Sequence, residues 1–115
     1  MQQDCVFCDI ANGKTSTELE YEDNNIVAFS DMNPQAPIHI LIVTKEHIPS
    51  IAEITASQQW LVGELVNVAQ KLAAKEGISE KGYRLVINCR SEGGQVVPHL
   101  HMHLLGGRKL SDRHG

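Results

Sequence analysis

At 115 residues, with 42% hydrophobic and 21% charged residues, the chain suits one compact domain over 1–115 and is too apolar for disorder. Its formal net charge is −4, with Lys71, Lys75 and Lys81 scattered among acids and Lys45 beside Glu46, so no basic stripe is present for a nucleic-acid polymer. Aromatic residues amount to 4%, which leaves the core to Val, Ile, Leu and Ala.

Taken in chain order, Met1-Gln2-Gln3-Asp4 has neither a basic region nor an apolar run, so no signal peptide is expected. No stretch approaches the roughly 20 apolar residues that span a bilayer, so no membrane partner is expected either. Cys5 to Asn12 is predicted as a short helix closed by Gly13 in a left-handed cap. Leu19–Tyr21 and Ile26–Ser30 flank the polar cluster Glu22-Asp23-Asn24-Asn25 and form a hairpin. Ile38–Val43 is β-branched and apolar, hence a central strand.

Thr55 to Glu76 is the long helix, with Thr55 and Gln58 spaced as a capping box and Gly77 at the C-terminal cap. Leu61, Leu65, Val68, Ala69 and Leu72 recur at helical spacing and give it a buried stripe, while Trp60 fits a core or an interface equally. Tyr83–Cys89 and His99–Leu105 are two further strands around the loop Ser91-Glu92-Gly93-Gly94-Gln95. The expected fold is α+β: a largely antiparallel sheet of about five strands, one long helix on one face and a short N-terminal helix.

The run His99-Leu100-His101-Met102-His103-Leu104 carries the chemistry. On a strand, residues two apart share a face, so the three imidazoles converge while Leu100, Met102 and Leu104 turn to the core. Such a row suits either a metal or phosphate chemistry. An imidazole attacks phosphorus well when its other nitrogen is hydrogen-bonded and its tautomer fixed. Gly93 and Gly94 permit backbone N–H groups to approach a phosphate, whereas the nearest acid along the chain is Glu92, which weakens the metal reading.

Pro98-His99-Leu100-His101-Met102-His103-Leu104-Leu105-Gly106-Gly107 resembles the histidine triad signature, and Asp31-Met32-Asn33-Pro34-Gln35-Ala36-Pro37-Ile38-His39 with Gly94-Gln95 resembles the nucleotide-binding hydrolase branch of that superfamily. The resemblance runs from Phe7 to Arg108. It implies a hydrolase of purine nucleoside 5'-phosphoramidates or related AMP conjugates. His101 would be the nucleophile, His103 would contact the α-phosphate, His99 would orient the row and His39 would fix the nucleophile's tautomer. Asn88, Gly94, Gln95, Val96 and Val97 would line the phosphate and leaving-group side. Asp31 would bind the ribose hydroxyls, a turn cap before Pro34 being the plainer alternative for that carboxylate. Phe7, Ile10 and Met32 would cover the base.

The resemblance also implies a homodimer, and catalysis without a metal. Two departures stand out. Val96 occupies a position where many relatives carry a Ser, and the segment after Arg108 lacks the Trp-containing tail of some relatives. Related activities share the nucleophile: dinucleoside polyphosphate hydrolysis, or nucleotidyl transfer. A nucleotide-binding interaction protein with incidental turnover, and a metal carrier using the histidine row itself, are the readings from other classes.

Three cysteines, Cys5-x-x-Cys8 and a distant Cys89, do not suggest a secreted disulfide framework and point to reduced thiols in the cytoplasm. CxxC alone is compatible with half a zinc site, a redox pair or two buried residues. Some triad relatives with this pair complete a structural Cys2His2 zinc site with two histidines, which by position are His47 and His99 here. Cys89 is expected as a buried strand residue and His114 as a solvated tail residue.

Overall fold

The structure, a computed structural model, describes residues 5–114. The Met1–Asp4 stretch read for a signal peptide lies outside the described residues. A helix, α1 (Val6–Ala11), precedes strands β1 (Tyr21–Glu22), β2 (Ile26–Ser30) and β3 (Ile38–Thr44). Two short 3-10 turns lead into α2 (Gln59–Lys75), followed by β4 (Tyr83–Val86) and β5 (His101–Gly106). The strands form one antiparallel sheet in the order β1-β2-β3-β5-β4, which is the α+β architecture expected.

Local chemistry explains most boundaries. Cys5 caps α1, its Sγ accepting from the Cys8 N–H at 3.3 Å, and Gly13 takes φ +71° beyond the end. The hairpin turn is tightened by Asp23, whose carboxylate accepts from the N–H groups of Asn25 and Ile26 at 2.7 and 2.8 Å. This moves the first arm to Tyr21–Glu22 rather than Leu19–Tyr21. Thr55 N–H donates to the Gln58 side chain at 3.0 Å, one arm of the expected capping box. At the other end of α2, Ile78 N–H reaches the Ala73 carbonyl and Gly77 N–H reaches that of Ala74, closing a Schellman motif with Gly77 at φ +75°.

Two expected strands are shorter than the sequence implies. Tyr83–Cys89 pairs only to Val86, and His99–Leu105 begins at His101. The cause is a single diversion. His99 N–H turns back to the Val97 carbonyl at 2.8 Å and Leu100 N–H goes to the Ile48 carbonyl at 2.7 Å, so this stretch leaves the ladder.

The sheet buries both faces. On one, Leu61, Leu65, Val68, Ala69 and Leu72 of α2 pack on Ile26, Ala28, Ile40, Ile42, Met102 and Leu104, with Leu100 beside them. Fully covering a Leu such as Leu65 or Leu104 contributes about 1.5–3 kcal/mol. On the opposite face α1 sets Phe7 and Ile10 against Val27, Phe29, Leu41 and Val43. Trp60 is 53% exposed, which removes it from the core. Among the described residues no helix is long and apolar enough to cross a membrane.

Candidate functional site

The α1 face of the sheet also carries the imidazoles. Strand alternation sends Ile40 and Ile42 of β3 towards α2, and His39, Leu41 and Val43 the other way. In β5 the same alternation turns Met102 and Leu104 to the core and His101 and His103 to the α1 face. A cavity of about 710 Å³ opens there, bordered by Phe7, Ile10, Asp31, Met32, His39, Asn88, Gly94, Val96, Val97, His101 and His103. Of the residues expected to hold a nucleotide, only Gln95 does not border it. Its side chain is spent on loop shape, accepting from Arg90 N–H at 2.7 Å and donating to the carbonyls of Pro49 and Val97 at 2.7 and 2.9 Å. Val6, Thr17, Phe29, Ser30, Asn33, Gln35 and Leu41 border the cavity as well, and sequence reasoning did not single them out.

Hydrogen bonding assigns the ring protons. His101 lies 2.6 Å through Nδ1 from the His99 carbonyl, which only accepts, so Nδ1 carries the proton and Nε2 the lone pair. His39 Nδ1 accepts from the Gln35 backbone N–H at 3.0 Å, which puts its own proton on Nε2. That Nε2–H meets His103 Nδ1 at 2.9 Å, so His103 in turn carries its proton on Nε2. The result is an unprotonated Nε2 on His101 and an Nε2–H donor on His103, with the ring centroids 5.1 Å apart.

His39 therefore meets His103, where the sequence had assigned it to His101. The register is the reason: His39 faces Leu105 and Leu41 faces His103, so His39 and His103 are diagonal neighbours, while His101 lies opposite Val43. The backbone carbonyl of His99, and not a side chain, holds the tautomer of His101. Burial lowers the pKa of each of these rings. It takes His103 down to about 4, with His101 and His39 adding to the effect, and it lowers His101 and His39 against the opposing pull of Asp31. The three are neutral at pH 7.

Asp31 follows β2, a place that brings its carboxylate to the same face. One oxygen accepts from Asn33 N–H at 2.8 Å, the turn cap foreseen as its plainer use. The other stands 3.4 Å from His39 Nε2. Asp31, not Glu92, is thus the acid beside the histidines, because the β2–β3 pairing supplies a neighbour that chain distance hides. Asp31, His39 and His103 lie close enough to hold a metal, yet the Gln35 N–H forces a proton onto the His39 nitrogen that would have to ligate.

His99 belongs to a second cluster. It precedes β5, is 0% exposed, and its ring turns away from the cavity towards Cys5, Cys8 and His47. Its Nδ1 is 3.3 Å from Cys5 Sγ, 3.4 Å from Cys8 Sγ and 3.2 Å from His47 Nδ1, and Cys8 Sγ is 3.1 Å from His47 Nδ1. Donors bound at about 2.0–2.3 Å in a tetrahedron stand about 3.3–3.8 Å apart, close to these separations. His99 Nε2 donates to the Thr44 carbonyl at 2.7 Å, which leaves the Nδ1 lone pair aimed into the cluster. Burial keeps this ring neutral, with a pKa down at about 4. Burial and the hydrogen-bonded Cys5 push the Cys8 thiol up to about 11, so a Cys8 thiolate calls for a compensating cation. The four residues fit a metal. Cys89 is half-buried, beyond the end of β4, with its Sγ 3.8 Å from Ser50 Oγ, and His114 is exposed.

Comparison with known proteins places this geometry. The HIT domain family model matches residues 12–110. The chain is 43% identical over 110 residues to the purine nucleoside phosphoramidase of Escherichia coli K12, covering 96% of this chain and 92% of that protein. It superposes on a HIT family hydrolase from Legionella pneumophila with a TM-score of 0.94 and 47% identity, covering 97% of this chain and all of that one. A Zn-bound histidine triad family protein from Mycobacterium smegmatis matches with a TM-score of 0.79 and 31% identity over 95% of this chain and 81% of that one.

Proposed function

The chain belongs to the HIT domain family, and from that premise we propose that it is a nucleotide hydrolase acting on purine nucleoside 5'-phosphoramidates or related AMP conjugates. The observation that carries the reading is the pairing of one unprotonated Nε2, on His101, with one Nε2–H donor, on His103, at the same cavity. His101 Nε2 forms a bond to the α-phosphorus as the bond from phosphorus to the leaving amine breaks, and the amine takes up a proton as it departs. Water then breaks the bond between phosphorus and His101 and releases the nucleoside monophosphate. His103 donates to a non-bridging oxygen as charge builds there. His39 acts through His103 as a positioning residue. Asp31 borders the cavity, and its second carboxylate oxygen, 3.4 Å from His39 Nε2, would take the ribose hydroxyls, while Phe7, Ile10 and Met32 supply the apolar wall for the base. Val96 borders the leaving-group side with no side-chain donor.

Cys5, Cys8, His47 and His99 would hold a zinc ion, the donor set and the His99 tautomer both suiting it. Bound there, zinc would supply a structural cross-link between the N-terminal helix and the sheet. The three free thiols suit a reducing compartment, the cytoplasm. A homodimer is supported by the open edge of β4, whose four residues are all half-buried, and by the exposed Trp60 of α2.

The test is intact mass spectrometry after brief mixing of a His103→Ala variant with adenosine 5'-phosphoramidate, alongside a His103→Ala/His101→Ala double variant. An added adenylyl mass in the first and none in the second is expected. Absence of any adduct, together with no AMP released by the unaltered protein, would overturn the phosphoramidase reading in favour of a polyphosphate substrate or a binding role.

A further inference from the structure

His99 has one role on each side of its backbone. Its ring nitrogen Nδ1 enters the Cys5–Cys8–His47 cluster, and its carbonyl holds His101 by the 2.6 Å bond that assigns the nucleophile's tautomer. The short helix α1 is shared in the same way. Cys5 and Cys8 face the cluster, while Phe7 and Ile10, between and beyond them, border the nucleotide cavity. The Phe7 ring stands edge-on to both His99 and His101, at centroid distances of 6.1 and 5.0 Å.

Six residues are too few for a helix to hold itself in water. The position of α1 therefore depends on its apolar contacts with β2 and β3 and on the side chains of Cys5 and Cys8. Whatever fastens those two thiols to His47 and His99 also fixes the cavity wall and the carbonyl behind the nucleophile.

We propose that the Cys5–Cys8–His47–His99 centre is coupled to the nucleotide cavity, so that metal occupancy and nucleotide binding strengthen each other through His99 and α1. The inference rests on the reading of the cluster as a zinc site. Coupling of this kind is reciprocal, and an allosteric effector typically changes the affinity at the other site by about 5- to 150-fold. Here Cys8 adjoins Phe7 and His99 is two residues from His101, both of which border the cavity, which suits an effect of about tenfold or more.

The experiment is a calorimetric titration of AMP into the zinc-loaded protein and into protein stripped by a chelator, with circular dichroism confirming that the stripped protein is folded at the working temperature. AMP affinity is expected to fall about tenfold or more on stripping. A second measurement starts from folded, metal-loaded protein only. With Co2+ in place of zinc, saturating AMP should shift the thiolate-to-cobalt and ligand-field bands, because the His99 ligand moves with the carbonyl that holds His101. An unmoved cobalt spectrum, or equal AMP affinity in loaded and stripped protein where zinc does bind, overturns the coupling and leaves the zinc site standing. Failure of Zn2+ or Co2+ to bind at one equivalent overturns the zinc reading itself, and the coupling with it.

Discussion

Replacing His39 by Ala separates two accounts of what that histidine does. The substitution deletes the 2.9 Å bond to His103 and removes the acceptor for Gln35 N–H, 3.0 Å away on the other side of the ring. A hydrogen bond of this kind contributes about 0.5–1.5 kcal/mol net, and one to a charged group about 1.5–3 kcal/mol. Without its partner His103 is free to move its proton to Nδ1 and forfeit the bond to the phosphate proposed above. A loss of about 1.5–3 kcal/mol follows, or about 13- to 160-fold in kcat/KM at 1.36 kcal/mol per decade. The assay is AMP release from adenosine 5'-phosphoramidate by the His39→Ala, His103→Ala and doubly substituted proteins, with thermal melts to confirm that each is folded. If His39 acts through His103, the double variant should match His103→Ala within about threefold, since the group being positioned is already gone. Multiplicative losses would refute the reasoning and return His39 to the nucleophile, as would a His39→Ala protein as inactive as His101→Ala.

The remaining expectations concern pH and the loop beside the cavity. Burial holds His39, His101 and His103 below the usual histidine value of 6.5, so their neutral forms persist as pH falls through it. The acid limb of kcat/KM should accordingly have its midpoint below 6.5, and a pH–rate profile with a midpoint at or above 6.5 would contradict the assigned burial. Gly93→Ala should destabilise the protein by about 1–3 kcal/mol in a urea titration. Its Cβ would run into the backbone carbonyl of Cys89 and stand 2.9 Å from that residue's nitrogen, where no flexible side chain can give way. An unchanged urea midpoint would show that the loop yields more readily than its contacts imply.

Periodicity and short-range chemistry made much of the fold legible in the sequence. The buried stripe of α2, the Gly77 cap, the alternation of Met102 and Leu104 against His101 and His103, and the pairing of Cys5 with Cys8 on one short helix are all set within a few residues of chain. So was the family, because the histidine spacing is itself a local pattern. What escaped depends on which residues meet from afar. The β3–β5 register puts His39 beside His103 instead of His101, and the β2–β3 pairing brings Asp31 to the imidazoles when chain distance favoured Glu92. The diversion of Leu100 N–H to Ile48 takes His99 out of its strand, although the family resemblance had already grouped its ring with Cys5, Cys8 and His47. The Gln35 amide, the His99 carbonyl and the Thr44 carbonyl fix three tautomers through backbone atoms, which every residue type possesses and no sequence pattern marks. The residue types that could do chemistry were visible along the chain, but the partner of each ring nitrogen follows from strand register, and register is settled only when distant segments pack.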